Sequence, residues 1–255
     1  MLYLGTSGFS YDDWVGPFYP AGTPKKDWLI YYAREFDACE INSTYYALPG
    51  PKTFISMLKK VKPGFLFVIK AHQKITHERG DNQEIYRGFI SILRLLQEAK
   101  ALGCLLAQFP YSFHYNQQNR DYLLSAVDKL RDFPIAIEFR HKEWLNEEVF
   151  DWLRSYNSGL CCVDEPHLPN LLPPMAVITS KTGYVRFHGR NAARWWNHEF
   201  AWERYDYTYT DEELKEWVPR IKYMDSMAEK TFVFANNHWK GQAVNTIRQL
   251  KRLLE

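Results

Sequence analysis

The stretch Ile135–Trp144, IAIEFRHKEW, decides how the chain reads. Ile135 to Glu138 is a short apolar run that ends in a carboxylate, and Arg140 and His141 follow at once. Apolar runs of this length read as buried strands. A carboxylate, a guanidinium and an imidazole at such a strand's end are costly to desolvate, so packing alone does not explain them. Beyond Trp144, Asn146 reads as a helix N-cap, and Val149, Trp152, Leu153 and Tyr156 form an inner helical stripe. The unit is therefore a β run, a polar cluster and an amphipathic helix.

Outward from this stretch the same unit recurs. Toward the N-terminus, strands are predicted at Leu2–Thr6, Ala38–Ile41, Phe65–Ile69 and Cys104–Ala107. Toward the C-terminus they are predicted at Leu160–Val163, Tyr184–His188 and Thr231–Phe234. Helical spacing marks about Lys26–Phe36, a helix opened by Pro51, the run Ile85, Phe89, Ile92, Leu96, Ala99, and about Gln118–Asp132. Thr210 and Glu213 form a capping box that starts another helix, and Gly241 leads the last. The connection Glu165–Pro174 is proline-rich and shows no clear helix. About eight β–α units without a linker predict an α/β fold, a single (β/α)8 TIM barrel over residues 1–255. Its βα loops are long after strands 1, 3, 6 and 7. An open doubly wound sheet would carry a Gly-rich phosphate turn after the first strand, and Gly5-Thr6-Ser7-Gly8 is too short a match.

A chain of 255 residues, 46% hydrophobic, can bury one substantial core. Aromatics reach 16%, and many lie in the loops, where packing needs them less. A net charge of +2 gives no global field for nucleic acid, so any basic preference is local. Cys39, Cys104, Cys161 and Cys162 lie in or beside strands with no CxxC pair, as expected of buried thiols in a reducing compartment. The first strand starts at Leu2, leaving no room for a signal peptide, and no apolar run has the length of a membrane span. A cytoplasmic protein without membrane contact is the expectation.

In a closed barrel the strand C-termini converge on one face, where sites lie. Glu40, Glu138 and Asp164 end strands two, five and six. Any of them serves as general base if burial or a neighbour raises its pKa; the alternative for Glu138 is an ion pair with Arg140 or Arg186 that shapes the rim. Glu40 alternates with Cys39 and Ile41 and so is expected to point into the barrel. Lys70, Lys74, His77, Arg140, His141, Arg186, His188, Arg190 and His238 all fall at or just after strand ends. These cations outnumber the acids, so an anionic ligand balances them more simply than salt bridges do. Asn42, Gln108, Asn236 and Asn237 supply neutral donors and acceptors at the same ends. A divalent metal on Glu40, Glu138, Asp164, His188 and His238 is the less favoured option, because no short-spacing ligand motif occurs and the arginines repel a cation. No cofactor is predicted. Trp14 and Trp144 are expected to pack, whereas Trp195 and Trp196, near Arg190 and Arg194, are candidates for stacking on a ligand ring.

The chain also resembles the YecE-like family, domain of unknown function 72. The match is carried by Gly5-Thr6-Ser7-Gly8-Phe9-Ser10-Tyr11, Trp14-Val15-Gly16-Pro17-Phe18-Tyr19-Pro20, Glu40-Ile41-Asn42-Ser43-Thr44-Tyr45-Tyr46 and Lys74-Ile75-Thr76-His77. Further matches are Gln108-Phe109-Pro110, Glu138-Phe139-Arg140-His141, Val163-Asp164, Arg186-Phe187-His188-Gly189-Arg190 and Asn236-Asn237-His238 with Gly241. The resemblance implies a TIM barrel and no settled activity. Tyr111, Ala235 and Ala47 depart from the family's usual residues beside the proposed site.

From these readings the first expectation is a hydrolase acting on a phosphorylated or otherwise anionic small ligand, nucleic-acid-derived ligands included. Glu138, with Asp164 or His188, would do acid–base work. Arg140, Arg186 and Arg190 would bind the anion. Glu40, Asn42, Lys70, His77, Gln108, His141, Asn236, Asn237 and His238 would complete the pocket. A non-catalytic ligand- or partner-binding barrel and a glycoside-active enzyme are the alternatives; the sequence leaves the oligomeric state open.

Overall fold

The computed structural model describes residues 1–80 and 82–255. Its eight strands are β1 (Leu2–Thr6), β2 (Ala38–Ile41), β3 (Leu66–Lys70), β4 (Leu102–Gln108), β5 (Ile135–Glu138), β6 (Ser158–Asp164), β7 (Thr182–Phe187) and β8 (Lys230–Ala235). They run parallel in the order β1-β8-β7-β6-β5-β4-β3-β2. Eight helices lie outside them: α1 (Trp28–Glu35), α2 (Pro51–Leu58), α3 (Gln83–Glu98), α4 (Gln117–Leu130), α5 (Glu147–Ser155), α6 (Asp211–Lys215), α7 (Val218–Met227) and α8 (Gln242–Leu254). This is the (β/α)8 architecture expected from the repeating unit.

The ring closes between β1 and β2 by an unusual seam. Among the described residues only Ser7 and Glu40 form a β-bridge there, and Gly8 N–H donates to the Glu40 carbonyl at 2.8 Å. Lower down, Tyr32 of α1 inserts its hydroxyl between the strands. That hydroxyl accepts from Thr6 N–H at 2.8 Å and donates to the Ala38 carbonyl at 3.0 Å. A phenol thus replaces a ladder bond and satisfies two buried backbone groups. Gly5 makes room for this arrangement, since a Cβ there would collide with the Ala38 carbonyl oxygen.

The sixth unit has no helix. The chain after β6 instead runs extended to β7, burying Leu171 and Leu172. Thr179 fastens it, its Oγ1 accepting from Leu160 N–H at 2.8 Å and donating to the Ser158 carbonyl at 2.6 Å. The Thr210–Glu213 capping box forms as expected, but α6 stops after five residues and α7 begins at Val218. Between them Trp217 is fully buried, its indole N–H donating to Asp164 Oδ2 at 2.7 Å. Among the described residues no helix is long and apolar enough to cross a membrane. All four cysteines are buried free thiols.

The barrel interior is filled by Ala38, Val68, Leu106, Ala136, Tyr184 and Phe234, among others. Side chains alternate across a strand, so the residue two positions on faces the same interior. Two positions after these six come Glu40, Lys70, Gln108, Glu138, Arg186 and Asn236. The fold therefore delivers a polar layer directly above an apolar plug, at the C-terminal mouth.

Candidate functional site

The base of the mouth is a buried ion network. Arg186 lies at its centre, donating Nη1 to Glu138 Oε2 at 2.7 Å and Nη2 to Glu40 Oε1 at 2.7 Å. Its Nη2 also reaches Ser7 Oγ at 3.3 Å and Asn236 Oδ1 at 3.4 Å. Glu40 is completed by the Tyr184 hydroxyl at 2.6 Å. Glu138 Oε1 lies 2.5 Å from Arg140 Nε and 3.1 Å from His188 Nε2. Glu40, Glu138, Arg186 and His188 are all at most 1% exposed. Burial opposes ionisation of Glu138, but Arg140, Arg186 and His188 hold its carboxyl well below the usual carboxylate range. Burial, and next the Arg140 charge, keep the His188 imidazole neutral despite Glu138. Asn236 Nδ2 lies 3.2 Å from His188 Nδ1. As an amide N–H can only donate, the neutral ring carries its proton on Nε2, toward Glu138. Both ring nitrogens of His188 are thereby engaged.

Above this base lies a cleft of ≈ 260 Å³ lined by Tyr45, Tyr46, Lys70, His77, Gln108, Pro110, Tyr111, Arg140, Leu171, Trp195, Trp196, Arg204 and Tyr205. No carboxylate is among them. Lys70 Nζ sits 4.6 Å over the Tyr45 ring, with no salt bridge to a described carboxylate. Burial, and next the Arg186 charge below, push its pKa down to about 8. Arg204 lies over Trp195 and Trp196 at 5.3 and 6.0 Å and likewise lacks a described acid partner. Burial, with Lys70 and Arg140 nearby, lowers His77 to about 4, so its ring is neutral at pH 7. A larger hollow of ≈ 400 Å³ lies at the opposite end, around Gly103, Ile135, Thr182 and Lys230. Strand N-termini surround it, and in this fold they serve stability.

Several sequence-predicted residues are elsewhere. Asp164 was expected at the mouth as a catalytic acid, and Arg190 as an anion ligand; they hold each other instead. Arg190 Nη2 donates to Asp164 Oδ2 at 2.7 Å, and Tyr209 and Trp217 saturate the same carboxylate at 2.5 and 2.7 Å. The reason is strand parity: Val163 faces the barrel interior, so its neighbour Asp164 faces outward. Asn237 is outward for the same reason, donating to the Tyr207 carbonyl and Thr246 Oγ1 at 2.8 and 2.9 Å. His238 stacks on Tyr11 at 4.7 Å, and Trp14 donates to its carbonyl, as part of the wall. Asn42 ends the seam side of the mouth without lining the cleft, and Gln108 lines it while donating to the Phe109 carbonyl. Trp14 and Trp144 pack in the core, as expected. Trp195 is buried and Trp196 is half exposed, and both border the cleft.

The metal set considered from sequence is not gathered, because Arg186 stands between Glu40 and Glu138. A different group comes together at the rim: one ligand atom each from His114, His141 and Glu143 lies within 4.8 Å of the others. The inward parity of β6 instead brings in Glu165, one residue past Asp164. Its Oε2 lies 3.4 Å from Arg140 Nη1 and its Oε1 accepts from Leu172 N–H at 2.9 Å. Burial raises its carboxyl to about 7 despite Arg140.

The family model for protein of unknown function DUF72 matches residues 3–255. The chain belongs to the DUF72 family. It is 28% identical to UPF0759 protein YunF of Bacillus subtilis over all of this chain and 95% of that one. A DUF72 family protein of Thermotoga maritima superposes with a TM-score of 0.90 at 39% identity, covering 100% of this chain and 99% of the other. The D-psicose 3-epimerase of Clostridium cellulolyticum shares the barrel alone, with a TM-score of 0.52 at 10% identity over 99% of this chain and 96% of that one. For this DUF72 chain, residue reasoning missed Arg204 and Glu165 as part of the mouth. The second was accessible from alternation along β6; Arg204 sits in a long loop with no periodic signal.

Proposed function

We propose that the mouth cleft binds a small anionic ligand that carries a flat ring, with the anion toward Lys70, Arg140 and Arg204. The observation that carries this reading is the lining: three cations, two of them without a described acid partner, and no carboxylate. Partly buried cations gathered in this way favour a phosphate or carboxylate. Tyr111 and Trp196 offer ring faces beside them, while Trp195 is buried beneath Arg204. A sugar phosphate or mononucleotide suits a cleft of ≈ 260 Å³, whereas a duplex meets no basic stripe at this mouth. Hydrolysis by Glu138, Asp164 and His188 loses its support, since each is saturated by partners beneath or outside the cleft. The glycosidase alternative needs two carboxyl groups flanking a substrate, and the lining offers none.

The test is calorimetric titration with inorganic phosphate, sugar phosphates and mononucleotides, each against its neutral analogue. Lys70→Met is expected to weaken the best anion at least about tenfold, equal to about 1.4 kcal/mol. Equal affinity of charged and neutral analogues, or no loss in Lys70→Met, refutes the reading.

A further inference from the structure

We propose that Lys70 is a nucleophilic amine that condenses with the carbonyl carbon of a small anionic aldehyde or ketone held in the mouth cleft. The inference rests on the anion-binding reading and adds the chemistry of the ligand. Lys70 is the one lysine in the lining, and a guanidinium does not serve as a nucleophile as a lysine amine can. Its ammonium makes no salt bridge to a described carboxylate, the charges of Glu40 and Glu138 reaching it only from beyond that distance, and it has the Tyr45 face on one side and the cleft on the other. The inward parity that puts Lys70 in the polar layer puts Arg186 there too, and Arg140 lies on the same mouth. A lysine desolvated beside other cations loses its proton easily and becomes a nucleophile. Burial and Arg186 accordingly lower Lys70 to about 8. All three cations draw the anion in; the two guanidiniums keep hold of it, and Lys70, once its proton is lost, meets the carbonyl.

The step balances without an oxidant or reductant. The neutral Nζ lone pair adds to the carbonyl carbon, and a nitrogen proton passes to the oxygen, giving a carbinolamine. Loss of the hydroxyl with the second nitrogen proton releases water and leaves the C=N bond. The imine then withdraws electrons from the adjacent carbon, which suits enolisation, aldol cleavage or decarboxylation of the bound ligand.

The probe is pyridoxal 5′-phosphate, which joins an aldehyde, a flat ring and a phosphate; pyridoxal is the control without the anion. The full chain is incubated with each at pH 7.5, reduced with borohydride and mapped by peptide mass. At that pH an amine of pKa about 8 holds roughly two-hundredfold more of its free form than a lysine of ordinary pKa. The expected result is one dominant adduct, on Lys70, forming at least about tenfold faster than on any surface lysine and suppressed by inorganic phosphate. Lys70→Met and Lys70→Arg, checked for folding by circular dichroism, are expected to lose it. Adducts scattered over surface lysines with Lys70 unmodified overturn the proposal. If phosphate still raises the melting temperature in that case, the anion-binding reading survives alone. If pyridoxal labels Lys70 as fast as its phosphate does, without phosphate protection, the nucleophile stands and the anion-binding reading falls.

Discussion

At the scale of the single side chain, Lys70 is held at a cost to the fold. Its charged form is disfavoured on folding by burial and by Arg186, so its folded pKa of about 8 lies below the ordinary 10.5. The sign follows from linkage: between about pH 8 and 10.5 the unfolded chain binds more protons, so stability rises with pH through that window. Below pH 8 the penalty is full. Lys70→Met is therefore expected to raise the melting temperature at pH 7, by a stabilisation of roughly 1–3 kcal/mol, and to remove the rise above pH 8. Thermal unfolding of both proteins at pH 7 and pH 10 checks this; a lower melting temperature for the variant at pH 7 contradicts it. Legibility in the sequence also divides residue by residue. Glu40, Lys70, Glu138, Arg186 and Asn236 could be read because each continues a strand's inward register. Asp164 was misplaced because its acidic neighbour Glu165 carries the inward register and Asp164 does not. Arg204 depends on how the long loop after β7 folds back over the mouth, and no local period encodes that.

At the scale of the element, the seam between β1 and β2 is where the barrel is least supported by its own ladder. Tyr32 contributes a hydroxyl that serves Thr6 N–H and the Ala38 carbonyl together, in a fully buried seam. Tyr32→Phe keeps the ring packing and leaves both backbone groups unsatisfied, which costs about 1–3 kcal/mol. Urea unfolding of this variant is expected to show a lower midpoint, with amide exchange fastest at Thr6. A loss under about 0.5 kcal/mol would mean that the seam is held by packing rather than by the phenol. Strands were legible to within about two residues at either end, since apolar runs bounded by polar clusters leave little choice. The seam was not legible, because Tyr32 sits at an ordinary apolar position of α1 and its hydroxyl reveals its use only once β1 and β2 are brought together. The capping box at Thr210 announced α6 correctly but not its length, which is set from outside the helix by Trp217 reaching Asp164.

At the scale of the whole molecule, two buried carboxyls give the stability–pH curve opposing slopes. Glu138 is depressed on folding, so its contribution is present above the ordinary carboxylate pKa and is lost as pH falls through its lower folded value. Glu165 is raised from 4.5 to about 7 by burial, so its contribution is full below 4.5 and disappears as pH rises through 7. Between pH 4.5 and 7 the folded state binds the extra proton, and stability should decline by about 3 kcal/mol over that interval from this group alone. Glu165→Gln keeps an acceptor for Leu172 N–H and cannot ionise. The variant is expected to be flat across the same interval and more stable than the parent at pH 8. The two should differ in the cleft as well: ionised Glu165 places a negative charge 3.4 Å behind Arg140, so phosphate affinity of the parent should fall relative to the variant as pH passes 7. Urea midpoints and phosphate titrations from pH 5 to 8 measure both effects on the same pair of proteins. Parallel stability curves would show that Glu165 does not titrate in this window. Diverging stability with parallel phosphate affinities would show that it titrates without reaching the ligand, and would take Arg140 out of the anion site.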